Sequence, residues 1–263
     1  MKRVLLTVLV AVVLVLSLAG TVAAAPPADN PGNGPPDFEM GVFIHYPKGE
    51  APGKPAGTPR AVEGEYKLTK YHWADTSIPV TYLVNLGGMP GASLTGLQAE
   101  AGIDAAFQTW EADEGSYMDF TDGGTTDTGI SSLANKMDYY NVVGWANLST
   151  TKYRDAIAVT IYWYNVATKH LVEVDVAMNS DPYFQWWQEP TGETWIDDES
   201  AAYNVDVQNI MTHEAGHWLV LGDLYATYNS EKTMYGYSGE LELKKRSLTS
   251  GDEAGIRKIY PED

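Results

Sequence analysis

The residues best suited to chemistry stand together at His213-Glu214-Ala215-Gly216-His217. Two imidazoles four positions apart lie on one face of a helix, so both can reach a single ion. Zinc takes neutral imidazole nitrogen at about 2.0–2.1 Å and, in catalytic sites, keeps one of four positions open to water. Glu214 follows His213 by one residue and projects beside the ligand pair. There its carboxylate can take a proton from a metal-activated water without itself ligating, and can pass it to a leaving amine. Two ligands are too few for the site. His45, His72 and His170 are candidates for a third by residue type. Asp223 lies six residues after His217, and Gly222 beside it gives the chain freedom to turn back at the helix end. Glu240 and Glu242 are the downstream alternatives.

The motif needs a helix to carry it. One is predicted over residues 206–221, where Val207, Ile210, Met211, Ala215, Trp218 and Leu219 supply an apolar face. Another is predicted over residues 93–111, with Leu94, Leu97, Ala101, Ala105 and Trp110 near helical spacing and Ser93 or Thr95 as cap. A third is predicted from about Gly251 to Ile259, opened by a capping box of Ser250 and Glu253 and stopped by Pro261. Residues 78–84, 156–164 and 171–178 are β-branched and aromatic and read as strands, the last two joined as a hairpin through residues 165–170. Residues 121–129 read as a loop. Asp119, Asp122 and Asp127 cluster there with glycines, an oxygen-rich setting in which a Ca2+ ion is a candidate. Strands with three helices predict an α+β domain.

The amino terminus indicates destination. Lys2 and Arg3 precede an apolar run over residues 4–20 and then small residues, the layout of a secretory signal peptide over residues 1–24, cleaved after Ala24. No other long apolar run follows, so a secreted chain with no membrane contact after cleavage is expected. Residues 25–62 are rich in Pro, Gly and Ala and are expected to form a linker or short pro-segment, with Met40 to Tyr46 as a strand or docking element within it. Order is expected to begin near Tyr66, within a metallopeptidase domain over residues 63–263. The net charge of −18 becomes −20 without Lys2 and Arg3, which argues against a nucleic-acid partner. There is no cysteine, so packing and any metal must hold the fold. A monomer is expected. Asn147-Leu148-Ser149 is a glycosylation sequon by pattern.

Taken together, the zinc helix, Asp223, and Met234 within Thr233-Met234-Tyr235-Gly236 resemble a metzincin zinc metalloprotease. Residues 248–256 with Ile259-Tyr260, and residues 174–181, resemble the closing helix and edge strand of the matrixin-like members; an Asp third ligand is similar to the snapalysin-like ones. The resemblance spans about residues 66–261. It implies a metzincin-like zincin fold: a twisted mixed β-sheet packed on the active-site helix, with a small C-terminal subdomain. It also implies a secreted zinc endopeptidase acting on protein or peptide substrates, held extended along an edge strand near residues 171–179 by main-chain hydrogen bonds. Met234 would form a turn beneath the metal, and Tyr235 or Tyr237 would line the specificity pocket or steady the oxyanion. Val220 stands where the family has glycine; a β-branched residue resists positive φ, so the turn is expected two residues later, at Gly222. An Asp ligand lowers the positive charge of the site, so weaker acidification of the water is expected. Gly236 stands where astacin-like members use tyrosine. Without cysteine, the thiolate latency switch of vertebrate matrixins cannot operate, and any latency from residues 25–62 must work otherwise. Two alternatives remain at this level: a thermolysin-type peptidase using Glu240 or Glu242, and an exported metal-binding module without catalysis.

Overall fold

The strand offered by the sequence at Met40 to Tyr46 is present, and it is more than a local element of a linker. In a computed structural model, which describes residues 37–49, 64–91, 94–188 and 203–262, β1 (Phe38–Pro47) is an integral part of the main sheet. The signal-peptide reading of residues 1–24 lies outside the described residues, and among those described no helix is long and apolar enough to cross a membrane.

The sheet is mixed. β2 (Val80–Asn85) pairs in parallel with β3 (Phe120–Thr125) and with β4 (Val142–Ala146). β6 (Leu171–Asn179) adds in parallel to β4, and β5 (Ala158–Asn165) returns antiparallel on β6, closing the hairpin expected over residues 165–170. β1 pairs antiparallel with β5 from Phe38↔Asn165 to His45↔Ala158, and its end pairs in parallel with the two-residue β9 (Tyr237–Ser238). The seven strands therefore run in the order β3-β2-β4-β6-β5-β1-β9, and a separate pair, β7 (Phe184–Trp187) and β8 (Tyr203–Asp206), is parallel.

Among the described residues three α-helices complete this mixed arrangement, which is compatible with the expected α+β class. Thr95 and Gln98 form a capping box on α1 (Gly96–Glu111), and Asp206 accepts the Asn209 N–H at 2.7 Å to cap α2 (Val207–Trp218). The box opening α3 (Ser250–Ile259) is Thr249 with Asp252, one residue before the predicted Ser250 and Glu253. Asp252, fully inside, accepts the Thr249 N–H at 2.9 Å and also the N–H of Thr233, 19 residues upstream, at 3.0 Å. α1 and α2 pack together, and the Trp110 indole donates to the Thr212 carbonyl at 2.8 Å.

Two sequence expectations change. The stretch read as a loop at residues 121–129 begins as β3, paired with β2. The strand expected to be an edge, near residues 171–179, is β6, which lies between β4 and β5. Its burial is almost continuous from Glu173 to Asn179, as suits a strand covered on both faces.

The buried carboxylates of β6 tie down an outer loop. Asp175 accepts the Val142 N–H at 2.9 Å and the Ser132 N–H at 3.2 Å, while Glu173 accepts the Ser132 hydroxyl at 2.9 Å and the Asp138 N–H at 2.6 Å. Burial pushes the Asp175 carboxyl up to about 7 against the pull of those donors. Asp175→Ala leaves two buried N–H groups without an acceptor, each costing about 1–3 kcal/mol. Urea denaturation should show a loss of about 2–6 kcal/mol on that basis.

Candidate metal centre

The end of α2 decides where the second imidazole points. The Leu221 N–H returns to the Gly216 carbonyl at 3.1 Å and the Val220 N–H to the His217 carbonyl at 2.9 Å, the paired bonds of a Schellman turn. Such a turn needs a left-handed residue between them, and that residue is Val220, at φ 59°. The expected shift to Gly222 does not occur. Gly222 stays outside the left-handed region, donates its N–H to the Lys67 carbonyl, and lies close under the Lys67 side chain. The valine is tolerated because it is fully buried among apolar neighbours.

The turn delivers a hydrogen-bond partner. His217 Nδ1 lies 2.7 Å from the Leu221 carbonyl, and His213 Nδ1 lies 2.7 Å from the Thr233 carbonyl. A carbonyl only accepts, so both Nδ1 atoms carry protons, and in the neutral rings both Nε2 atoms present lone pairs. Those two Nε2 atoms face each other at 3.1 Å, and Asp223 Oδ1 lies 3.2 and 3.4 Å from them. Four-coordinate zinc with donors at about 2.0–2.1 Å would separate neighbouring donors by about 3.4 Å. The donor set fits a metal by chemistry, by spacing, and by the Thr233 and Leu221 carbonyls that fix the imidazole tautomers.

Electrostatics agree. Asp223 Oδ1 is buried and satisfied by no hydrogen bond. Burial alone would raise the Asp223 carboxyl, but the His217 and His213 rings hold it well below the usual carboxylate range. Burial pushes His213 down to about 4, leaving it neutral, the form a metal requires. His217 moves the other way: burial lowers it, but the neighbouring Asp223 carboxylate outweighs that. A positive charge is thus favoured at the point where the three donors converge.

The remaining candidates lie elsewhere. Glu240 bonds Asn204 at 3.0 Å, and Glu242 accepts the Gly239 N–H at 3.1 Å. His72 and His170 stack edge to face with each other, 4.8 Å between ring centres. Among the described residues the three-donor groups that could hold an ion are His213, His217, Asp223 and His45, His213, Glu214; Asp119, Asp122 and Asp127 are in neither.

Met234 lies under the helix. A Cβ on Gly216 would stand 2.2 Å from the Met234 sulfur, so the glycine lets the thioether approach the turn between the two histidines. Asp252 holds this segment by accepting the Thr233 N–H at 3.0 Å and the Met234 N–H at 3.2 Å. Tyr235 is buried and Tyr237 half-buried, and their carbonyls accept from the Lys245 ammonium at 2.5 and 3.1 Å. The Tyr225 hydroxyl bonds the Asp223 carboxylate, and Gly236 makes room for that ring.

Glu214 is engaged on both oxygens. Thr160 of β5 donates its hydroxyl to Oε2 at 2.5 Å, and His45 of β1 donates from Nδ1 to Oε1 at 3.1 Å. The tautomer of His45 follows from its other side, where Nε2 lies 3.1 Å from Lys245 Nζ and 2.9 Å from the Ser238 hydroxyl. Burial pushes Glu214 up to about 7 and Lys245 down to about 8. His45 was a candidate by residue type alone; its position against the base, 169 residues along the chain, has no local signal. Thr160 and Lys245 were missed. Lys245 sits in Lys244-Lys245-Arg246, which reads as a solvated basic run, yet Lys245 is fully buried.

No model of a known protein family matches the sequence, and no curated protein matches it either.

Proposed function

We propose that this chain is a secreted zinc-dependent endopeptidase with a metzincin-like arrangement. The observation that carries this reading is the convergence of His213 Nε2, His217 Nε2 and Asp223 Oδ1 within 3.4 Å, with the Glu214 carboxylate against the same helix face. When bound, zinc supplies Lewis-acid polarisation of water and of a substrate carbonyl. The protein does the rest. His213, His217 and Asp223 hold the ion, and the Leu221 and Thr233 carbonyls orient the two rings. Glu214, free of its present partner, takes a proton from water on one oxygen while Thr160 anchors the other. The side of β5 away from β6, along which β1 pairs in this structure, has the main-chain groups for an extended peptide, the task first expected of residues 171–179. The Asp ligand set, rather than Glu240 or Glu242, favours this reading over a thermolysin-type site.

The full-length protein should take up one zinc per chain. Any cleavage of a mixed-sequence peptide library, followed by mass spectrometry, should stop with 1,10-phenanthroline and return with zinc. Cleavage that survives the chelator, or a chain that takes up no zinc, overturns the proposal.

A further inference from the structure

A hydrolytic centre must be reached by water and substrate, yet His213, Glu214 and His217 are all 0% exposed. What covers them is β1. Its residues alternate between two faces. Phe43 stacks on the His217 ring at 4.0 Å, with an interplanar angle of 1°, and His45 lies over the His213 ring at 3.9 Å. On the other face Met40, Val42, Ile44 and Tyr46 pack on a small cluster that includes Leu148, Val159 and Ile161. The strand lies in a slot between β5, to which it is antiparallel, and β9, to which it is parallel. This is how an extended segment adds to an exposed sheet edge, with main-chain bonds for grip and alternate side chains in pockets.

β1 is also separable. It gives no buried apolar side chain to either hydrophobic cluster; its residues pack at their margins as half-buried side chains. The strands from β3 to β5 pair with one another without it, and of its side chains only Phe43 packs against the main core. Its one deeply committed polar contact is His45, which occupies the oxygen that Glu214 needs for a proton.

We propose that β1 is an internal occupant of the peptide-binding edge, and that His45, by holding Glu214, keeps the full-length chain latent until β1 is displaced. This inference rests on the hydrolase reading and gives its regulation without a thiol. No bond is made or broken to the metal; the strand withholds the base and covers the donors.

The test uses full-length protein loaded with cobalt(II), whose visible spectrum reports access of acetohydroxamic acid to the metal. Gly41 lies against Tyr162, with a Cβ at that position 2.2 Å from the ring, so Gly41→Phe should lift β1 from the slot. Val42→Asp weakens the opposite face independently, and circular dichroism checks that each variant is folded. Wild type should show no spectral response and little peptide cleavage. Both variants should respond to the hydroxamate and cleave at least about tenfold faster, as uncovering an occluded site allows. A wild-type spectrum that responds as readily as the variants', or two folded variants that remain unresponsive, overturns the proposal. Variants that open to hydroxamate yet cleave no peptide overturn the hydrolase reading instead and leave the occlusion standing.

Discussion

Glu214→Gln in the opened Gly41→Phe background should lower kcat/KM for peptide cleavage by about 10²–10⁴-fold, the usual range for removing a general base. Zinc content should stay at one per chain, because Glu214 is not among the converging donors His213, His217 and Asp223. Gln keeps the bond from Thr160 to a carbonyl oxygen and keeps the volume, so the fold should be preserved. What it loses is the ability to accept a proton. Steady-state kinetics with zinc analysis on the same samples separate the two roles. A fall in zinc with the fall in rate would make Glu214 a ligand, and an unchanged rate would remove it from the chemistry.

Asp223→Ala should weaken zinc binding by more than about 100-fold, since losing even an outer-shell partner costs about 10–100-fold. Its Oδ1 is the third donor at 3.2 and 3.4 Å from the imidazoles, and it is the anion that favours positive charge there. Glu240→Ala and Glu242→Ala should leave affinity unchanged, because those side chains bond Asn204 and the Gly239 N–H. Competition titration with a chromophoric chelator measures all three. Full affinity in Asp223→Ala would refute the donor set.

What the sequence disclosed was mostly local. Helical spacing and capping residues placed α2 and α1 within a few residues, because the 3.6-residue period and the N-terminal hydrogen bonds are written in adjacent positions. The hairpin of β5 and β6 was legible for the same reason. The histidine pair was legible because the helix itself sets the spacing of the rings. β1 was legible as a strand or docking element at Met40 to Tyr46, where Met40, Val42, Ile44 and Tyr46 alternate with period two, but the Pro- and Gly-rich composition around it hid its place in the main sheet. β4, at Val142–Ala146, was missed as a short apolar run with no distinguishing period. His45 and Lys245 meet across 200 residues, and no local pattern foretells such a meeting. Val220 was expected to push the turn on to Gly222, but it adopts the positive φ itself and the turn keeps its place, because the burial of the valine compensates for local strain.

That valine has a wider consequence. A left-handed backbone costs an L-residue about 1–2 kcal/mol, while full burial of a valine side chain is worth about 1.5–3 kcal/mol. Because both terms belong to Val220, the packing around its isopropyl group is what keeps the Leu221 carbonyl beneath the His217 ring. Folding therefore readies one side of the pocket before any ion arrives, so little ordering entropy is left for capture to overcome. For the ion proposed here, side chains that never face it would thereby set part of its affinity.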